Sequence, residues 1–244
     1  MTDKIKYVAI NGSERVDGNN ARALEWAAEY LEKQDVILEV FSLASAKIDP
    51  CGACGDCNFR NEPCVQKDDA ARAVQLMEAS DGVIFACAVH GFGATPLMSA
   101  FLERVGTGFL RHDRTLTNKV AGVMVTGRRM GHVEVYNQML QCALLNRMIM
   151  VGYGFPAMLV GDKKGEVLGD KEGMEMLRRM LDRMVSMTRL MRDHERLTGQ
   201  PVLQVSVPGE RHREGNDGKF FVPAKSDMYQ LEAARSCNFD VVGD

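Results

Sequence analysis

The chain has 244 residues, 45% hydrophobic and 26% charged, which is enough for one well-cored domain and an extension. A formal net charge of −3 excludes general attraction to nucleic acid or to an anionic membrane surface. No apolar run approaches the ~20 residues of a membrane span, and the opening MTDKIKYVAING lacks the features of a secretory signal, so a cytoplasmic protein is expected.

Ile5–Ile10 is an apolar run that stops at Asn-Gly-Ser, as a strand entering a tight turn does. Ala21–Lys33 then carries Leu24, Ala27, Ala28 and Leu31 at helical spacing, and Val36–Phe41 reads as a second strand. A loop rich in Gly, Pro, Asp and Cys follows. Asp68–Ala79 is an amphipathic helix whose leading Asp-Asp suits a helix N-terminus and asks for no further role. Val83–Val89 is a continuous apolar run of the kind buried in parallel sheets. A helix over about Pro96–Val105, a fourth strand over Val120–Val125 and a helix over Glu134–Asn146 come next. Met148–Tyr153 with Met158–Val160 forms a fifth strand region, and Glu172–Arg192 a last long helix.

Five strands alternating with five helices predict a doubly wound parallel α/β sheet over residues 1–198. Ligands of such sheets sit at the C-terminal ends of the strands, where the order reverses. The loops after strands one, three and four are therefore the candidate site. Residues 199–244 are polar, broken by Gly and Pro, with one FFV patch and a short helix over Tyr229–Arg235; they read as a disordered tail or an oligomerisation arm.

The first of these loops runs from Gly12 to Asn20 directly into a helix. Gly12 and Gly18 permit a backbone folded round an anion; Ser13, Asn19 and Asn20 offer donors, and Arg15 a charged fork. The glycines do not follow G-x-G-x-x-G and no Gly-Lys-Ser/Thr is present, so neither the dinucleotide nor the Walker pattern applies. An ordinary polar turn with an Asn N-cap is the plainer alternative. Gly-Ser-x-Arg-x-x-Gly-Asn, with Asn20 next, resembles the FMN phosphate loop of the NADPH-dependent FMN reductase superfamily, and the resemblance extends from Lys4 to about Val160. It implies a flavodoxin-like fold, non-covalent FMN, and Ser13, Arg15, Gly18, Asn19 and Asn20 at the phosphate.

The same resemblance places two further loops at the flavin ring. At the end of the third strand the family has Ser-Pro-x-Tyr; here Cys87 stands for the Ser, Ala88 for the Pro and His90 for the Tyr, with Val89, Gly91, Phe92 and Gly93 completing the loop. The following helix ends in Phe101-Leu102-Glu103-Arg104, matching the family's Phe-x-Asp-Arg. After the fourth strand come Thr126, Gly127, Arg128, Arg129, Met130, Gly131 and His132, of which Thr126, Gly127, Arg128 and Gly131 are the expected contacts. Arg128 and Arg129 suit the flavin edge or a nicotinamide cofactor's phosphate; a solvated pair accounts for them equally. His90 is either a ring neighbour able to transfer a proton or a plain loop histidine.

Cys51, Cys54, Cys57 and Cys64 form C-x2-C-x2-C-x6-C in a Gly-rich loop over residues 49–66. Three thiolates at this spacing can converge on one face of a [4Fe–4S] cubane, with the fourth closing it. Zinc and metal-free or redox-active thiols are the alternatives. The spacing resembles that of the iron–sulfur flavoproteins, a branch of the same superfamily. Cys87, Cys142 and Cys237 read as buried or incidental. Met174, Met176, Met180, Met184, Met187 and Met191 stripe the last helix, as core packing or a subunit interface.

The expected protein is an FMN-dependent oxidoreductase that relays electrons between FMN and a [4Fe–4S] cluster. Its donor or acceptor is a small molecule or a ferredoxin-type carrier, with NAD(P)H as a possible co-substrate. The alternatives are a cluster-free NAD(P)H-dependent FMN or quinone reductase and an electron carrier serving a ferredoxin. The resemblance further implies a homodimer or homotetramer.

Overall fold

The computed structural model describes residues 4–52, 64, 66–105 and 114–203. In chain order the elements are β1 (Ile5–Asn11), α1 (Asn19–Glu32), β2 (Val36–Ser42), α2 (Ala70–Glu78), β3 (Gly82–His90), β4 (Gly93–Ala94), α3 (Pro96–Glu103), β5 (Val120–Gly127), α4 (His132–Leu145), β6 (Ile149–Met150), β7 (Ala157–Val160) and α5 (Lys171–Thr198). The parallel strands are ordered β2-β1-β3-β5-β6, the order of the flavodoxin-like fold that the family resemblance implies.

The fifth strand comes in two pieces on the same edge of β5. β6 pairs with Val120 and Ala121, and β7 with Met124–Gly127. The intervening GYGFP sequence breaks it, since Gly154 takes φ +108° and Pro156 supplies no N–H to the ladder. A second difference from the sequence reading is β4, which pairs antiparallel with the end of β3 through Val89↔Ala94 and His90↔Gly93. The stretch read as a loop is therefore a two-residue hairpin, with Gly91 and Phe92 both at positive φ (55° and 66°), as a type I′ turn demands.

Burial follows topology. β3 and β5 are central and buried on both faces, whereas β2, at the edge, is mostly exposed or half-buried, with only Val36 and Phe41 buried. α2, α3 and α4 cover one face through residues such as Met77, Met98, Phe101 and Met139. α1 and α5 cover the other through Leu24, Leu31, Leu177 and Leu181. The methionine stripe of α5 is core: Met176, Met180 and Met184 are buried, and Met174, Met187 and Met191 pack against them. Gly122 of β5 makes room for it, because a Cβ there would lie 2.6 Å from Met184 Sδ and 2.8 Å from Met180 Sδ.

α5 runs six residues beyond the expected Arg192 and stops where Gly199, at φ +69°, donates its N–H to Glu195. α4 starts at His132 rather than Glu134, after Gly131 in the left-handed region. None of the described helices is long and apolar enough to cross a membrane. The Tyr229–Arg235 helix, the FFV patch and Cys237 lie outside the described residues.

Candidate functional site

β1 delivers the chain to Asn11, whose buried side chain organises the loop beyond it. Asn11 Oδ1 accepts from the Ser13 N–H (3.1 Å) and from Asn20 Nδ2 (3.2 Å). Asn20, 1% exposed, also accepts from the Thr126 hydroxyl at 2.6 Å and so ties the first loop to the end of β5. Gly12 is pinned between β3 and α3. Its N–H donates to Ala86 (2.8 Å), its carbonyl accepts from the Thr95 hydroxyl, and an added Cβ would fall 2.7 Å from Met98 Cε. Thr95 caps α3 by accepting from the Met98 N–H at 3.1 Å, with Pro96 at the first helical position.

No side chain caps α1. Gly18 is its N-cap residue, so the first-turn N–H groups are not bonded by a cap side chain. Asn19 Oδ1 accepts from the Gly165 N–H (2.7 Å), which leaves its amide N–H groups as donors. Lys164 pairs with Asp17 and fastens the 161–166 loop to the first loop from the other side. An uncapped helix N-terminus with Ser13, Arg15 and the Asn19 amide is a donor set that fits a phosphate dianion.

These segments enclose a cavity of about 230 Å3 at the C-terminal ends of β1, β3 and β5. Of the sequence-predicted residues, Ser13, Arg15, Asn19, Asn20, Ala88, Val89, His90, Thr126, Gly127 and Arg128 line it. Gly18, Gly91, Phe92, Gly93 and Gly131 do not. Gly18 is the α1 cap, Gly91–Gly93 form the hairpin turn, and Gly131 lets the β5 loop approach it, a Cβ there falling 2.7 Å from Val89.

Glu14, Thr95, Gly161 and Asp162 also line the cavity. Thr95-Pro96 carried a readable cap signal, and Gly161-Asp162 directly follow the last strand. Their meeting here is a matter of topology.

Charges of both signs face the mouth. His90 Nδ1 lies 3.8 Å from Glu14 Oε2, and Arg128 Nε lies 3.7 Å from Asp162 Oδ2, all well exposed. Arg128, Gly161 and Asp162 also border an adjoining hollow of about 510 Å3, to which Arg129 contributes. Cys87 is fully buried, and burial pushes its thiol up to about 11 against the lesser pull of Thr95, so it is a neutral packing group and not a nucleophile. His132, buried at the start of α4, donates its Nε2 proton to the Leu159 carbonyl (3.2 Å), a structural role.

The cysteine segment is described only at its ends. Cys54 and Cys57 lie outside the described residues, and among those described no three His, Cys, Asp or Glu side chains are grouped to hold a metal. Cys51 is exposed and its N–H donates to Glu103 (3.4 Å); Cys64 is half-buried.

Beside them lies an arrangement the sequence reading missed. Asp68 is not a bare helix-end charge: its carboxylate and the Arg104 guanidinium form an ion pair at 2.8 Å with both side chains 1% exposed. Asp68 also accepts from the Ala70 N–H (3.1 Å) at the start of α2. Burial disfavours charge on both groups, but their pairing, with the Ala70 and Asp49 N–H groups also on Asp68, outweighs it, holding the Asp68 carboxyl below and the Arg104 guanidinium above the usual values.

The chain resembles known proteins at three levels. The family model described as NADPH-dependent FMN reductase matches residues 5–159. An iron-sulfur flavoprotein of Archaeoglobus fulgidus is 34% identical over 175 residues, covering 68% of this chain and 78% of that protein. One from Methanocaldococcus jannaschii is 29% identical over 189 residues, covering 73% and 94%. Among solved structures, RosB with bound 8-demethyl-8-formylriboflavin-5'-phosphate has a TM-score of 0.63 at 16% identity, over 98% of this chain and 90% of that one, a likeness of fold alone.

Proposed function

Because this chain belongs to the NADPH-dependent FMN reductase family and is an FMN-dependent oxidoreductase, we propose that it passes electrons between FMN in the β1/β3/β5 cavity and a [4Fe–4S] cluster on Cys51, Cys54, Cys57 and Cys64. The observation that carries the FMN part of this reading is the uncapped start of α1, set among Ser13, Arg15 and Asn19 at the sheet's switch point. The cluster part is supported by the cysteine spacing and by the iron-sulfur flavoproteins among the relatives.

FMN, when bound, supplies a centre that takes one or two electrons and so couples a hydride donor to a one-electron partner. The chain's own residues bind and orient it. Ser13, Arg15, the Asn19 amide and the first turn of α1 hold the phosphate, while Asn20 braces the loop from behind by bonding Asn11 and Thr126. The β3 end and the β5 loop, with Ala88, Val89, Thr126 and Gly127, shape the cavity towards the ring. His90, opposite Glu14, is the group at the mouth that can hold a proton on its ring nitrogens. Arg128 and Arg129 beside the adjoining hollow offer positive charge to a nicotinamide cofactor's phosphate, the second reading of the donor side.

The protein purified without oxygen tests this through its absorbance and its flavin, iron and sulfide content. Flavin bands, a broad shoulder near ~400 nm and about four irons and four sulfides per chain are expected. Flavin without iron would leave a cluster-free FMN or quinone reductase. Cys54→Ala should lose the shoulder and keep the flavin. Rapid oxidation of NAD(P)H by the pure protein would assign the donor, and its absence would favour a ferredoxin-type carrier. A homodimer or homotetramer is expected by sedimentation.

A further inference from the structure

Arg104 is the largest fully buried side chain described, and it carries a charge. It closes the base of the cysteine segment from both sides. Its Nη1 donates to the Asp49 carbonyl (2.6 Å), to Gln66 Oε1 and to Asp68 Oδ2 (2.8 Å), and its Nη2 to Asp68 Oδ1 (3.1 Å).

The two arms are also cross-tied. The Asp49 N–H donates to Asp68 (3.1 Å), Gln66 Nε2 donates to the Pro50 carbonyl (3.4 Å), and Glu103, the neighbour of Arg104, accepts from Cys51. Thus Asp49 on one arm and Gln66 and Asp68 on the other meet at one guanidinium. A buried ion pair contributes little stability over apolar packing of the same volume, so overall stability alone does not call for it. Its geometry, a planar fork with five donors, suits holding several acceptors in fixed places.

We infer that Arg104 is a positioning residue for the cysteine segment: it fixes the base of both arms, through Asp49 on the Cys51 side and through Gln66 and Asp68 on the Cys64 side. The inference rests on the cluster reading above. The described cysteines fit that reading, since Cys51 and Cys64 are both free thiols, one exposed and one half-buried, of the kind that ligates iron. Fixing both arms removes part of the closure entropy that assembly of the site would otherwise cost.

The test uses the full chain purified without oxygen, with two variants: Arg104→Lys, and Arg104→Met combined with Asp68→Leu so that no buried charge is left unpaired. Iron and sulfide per FMN, the rate of iron loss to a chelator and the melting temperature are measured. The double variant should keep FMN and a melting temperature near wild type, since apolar packing replaces the buried pair, yet lose iron at least tenfold faster. Arg104→Lys, which keeps the charge but not the fork, should also lose iron faster.

Wild-type iron loss in the double variant would overturn the inference and leave the cluster in place. If the double variant does not fold, wild-type iron loss in Arg104→Lys overturns it by itself. Absence of iron and sulfide from the wild-type protein would instead overturn the cluster reading, and this inference with it.

Discussion

Replacing Thr95 by Val removes one hydroxyl at nearly constant volume and tests how the first loop is held. That hydroxyl, in a residue 2% exposed, accepts from the Met98 N–H and donates to the Gly12 carbonyl. Loss of the α3 cap costs about 1 kcal/mol, and leaving the buried Gly12 carbonyl without its donor costs about 1–3 kcal/mol more. The sum, about 2–4 kcal/mol, corresponds to a fall in Tm of roughly 5–15 °C for a domain of this size. Thr95→Ser keeps both bonds and leaves only a methyl-sized gap, at about 1 kcal/mol. Guanidinium denaturation of the flavin-free protein measures the difference, and FMN titration should show about tenfold weaker binding in the Val variant, or ~1.4 kcal/mol. A Val variant within about 0.5 kcal/mol of wild type, or a Ser variant as damaged as Val, would refute the reasoning.

Asn20→Ala should cost roughly 2–3 kcal/mol in stability because the Thr126 hydroxyl loses its acceptor. Exposed Arg15→Gln should leave stability within about 0.5 kcal/mol while weakening FMN binding, so chemical denaturation and flavin titration together separate brace from ligand. Burial pushes the Cys87 thiol up to about 11 and the Cys142 thiol up to about 12, from an ordinary value of 9.0. Above pH 9 the unfolded thiols release protons that the folded ones keep, so stability present below pH 9 is lost as pH rises towards 11–12. Buried Tyr7 and Tyr153, also raised, act in the same direction. A Cys87→Ala/Cys142→Ala variant should show a shallower fall of Tm over that window, and an unchanged slope would disprove the assignment. Arg104→Met alone, leaving Asp68 buried and unpaired, should cost about 3–5 kcal/mol; if melting shows that Asp68→Leu added to it restores none of this, the burial argument fails.

The apolar runs made the parallel strands legible because β1, β3 and β5 are buried on both faces and carry little else. The loop proposed to hold the phosphate stands out in the sequence for a local reason: its glycines, Ser13, Arg15 and Asn19 lie within one short stretch of chain. The β3–β4 hairpin was not legible, because Gly91-Phe92 is an unusual turn pair and a phenylalanine at φ +66° gives no sequence signal. Asp68 and Arg104 were each visible, one as a helix-start charge and one as a helix-end motif residue. Nothing local says that residues 36 apart share a buried contact. Thr95, Glu14 and Asp162 likewise join the cavity only because three strand ends converge.

α3 has Thr95 at one end, in the cavity wall, and Arg104 at the other, under the cysteine segment. A helix advances ~1.5 Å and turns ~100° per residue. An insertion or deletion of a single residue between these two would swing one of them to the wrong side of the helix while the other stayed seated. The stretch from Thr95 to Arg104 should therefore accept side-chain exchanges on its outer face but no change of length, and a deletion scan along it would find a sharply bounded window of intolerance.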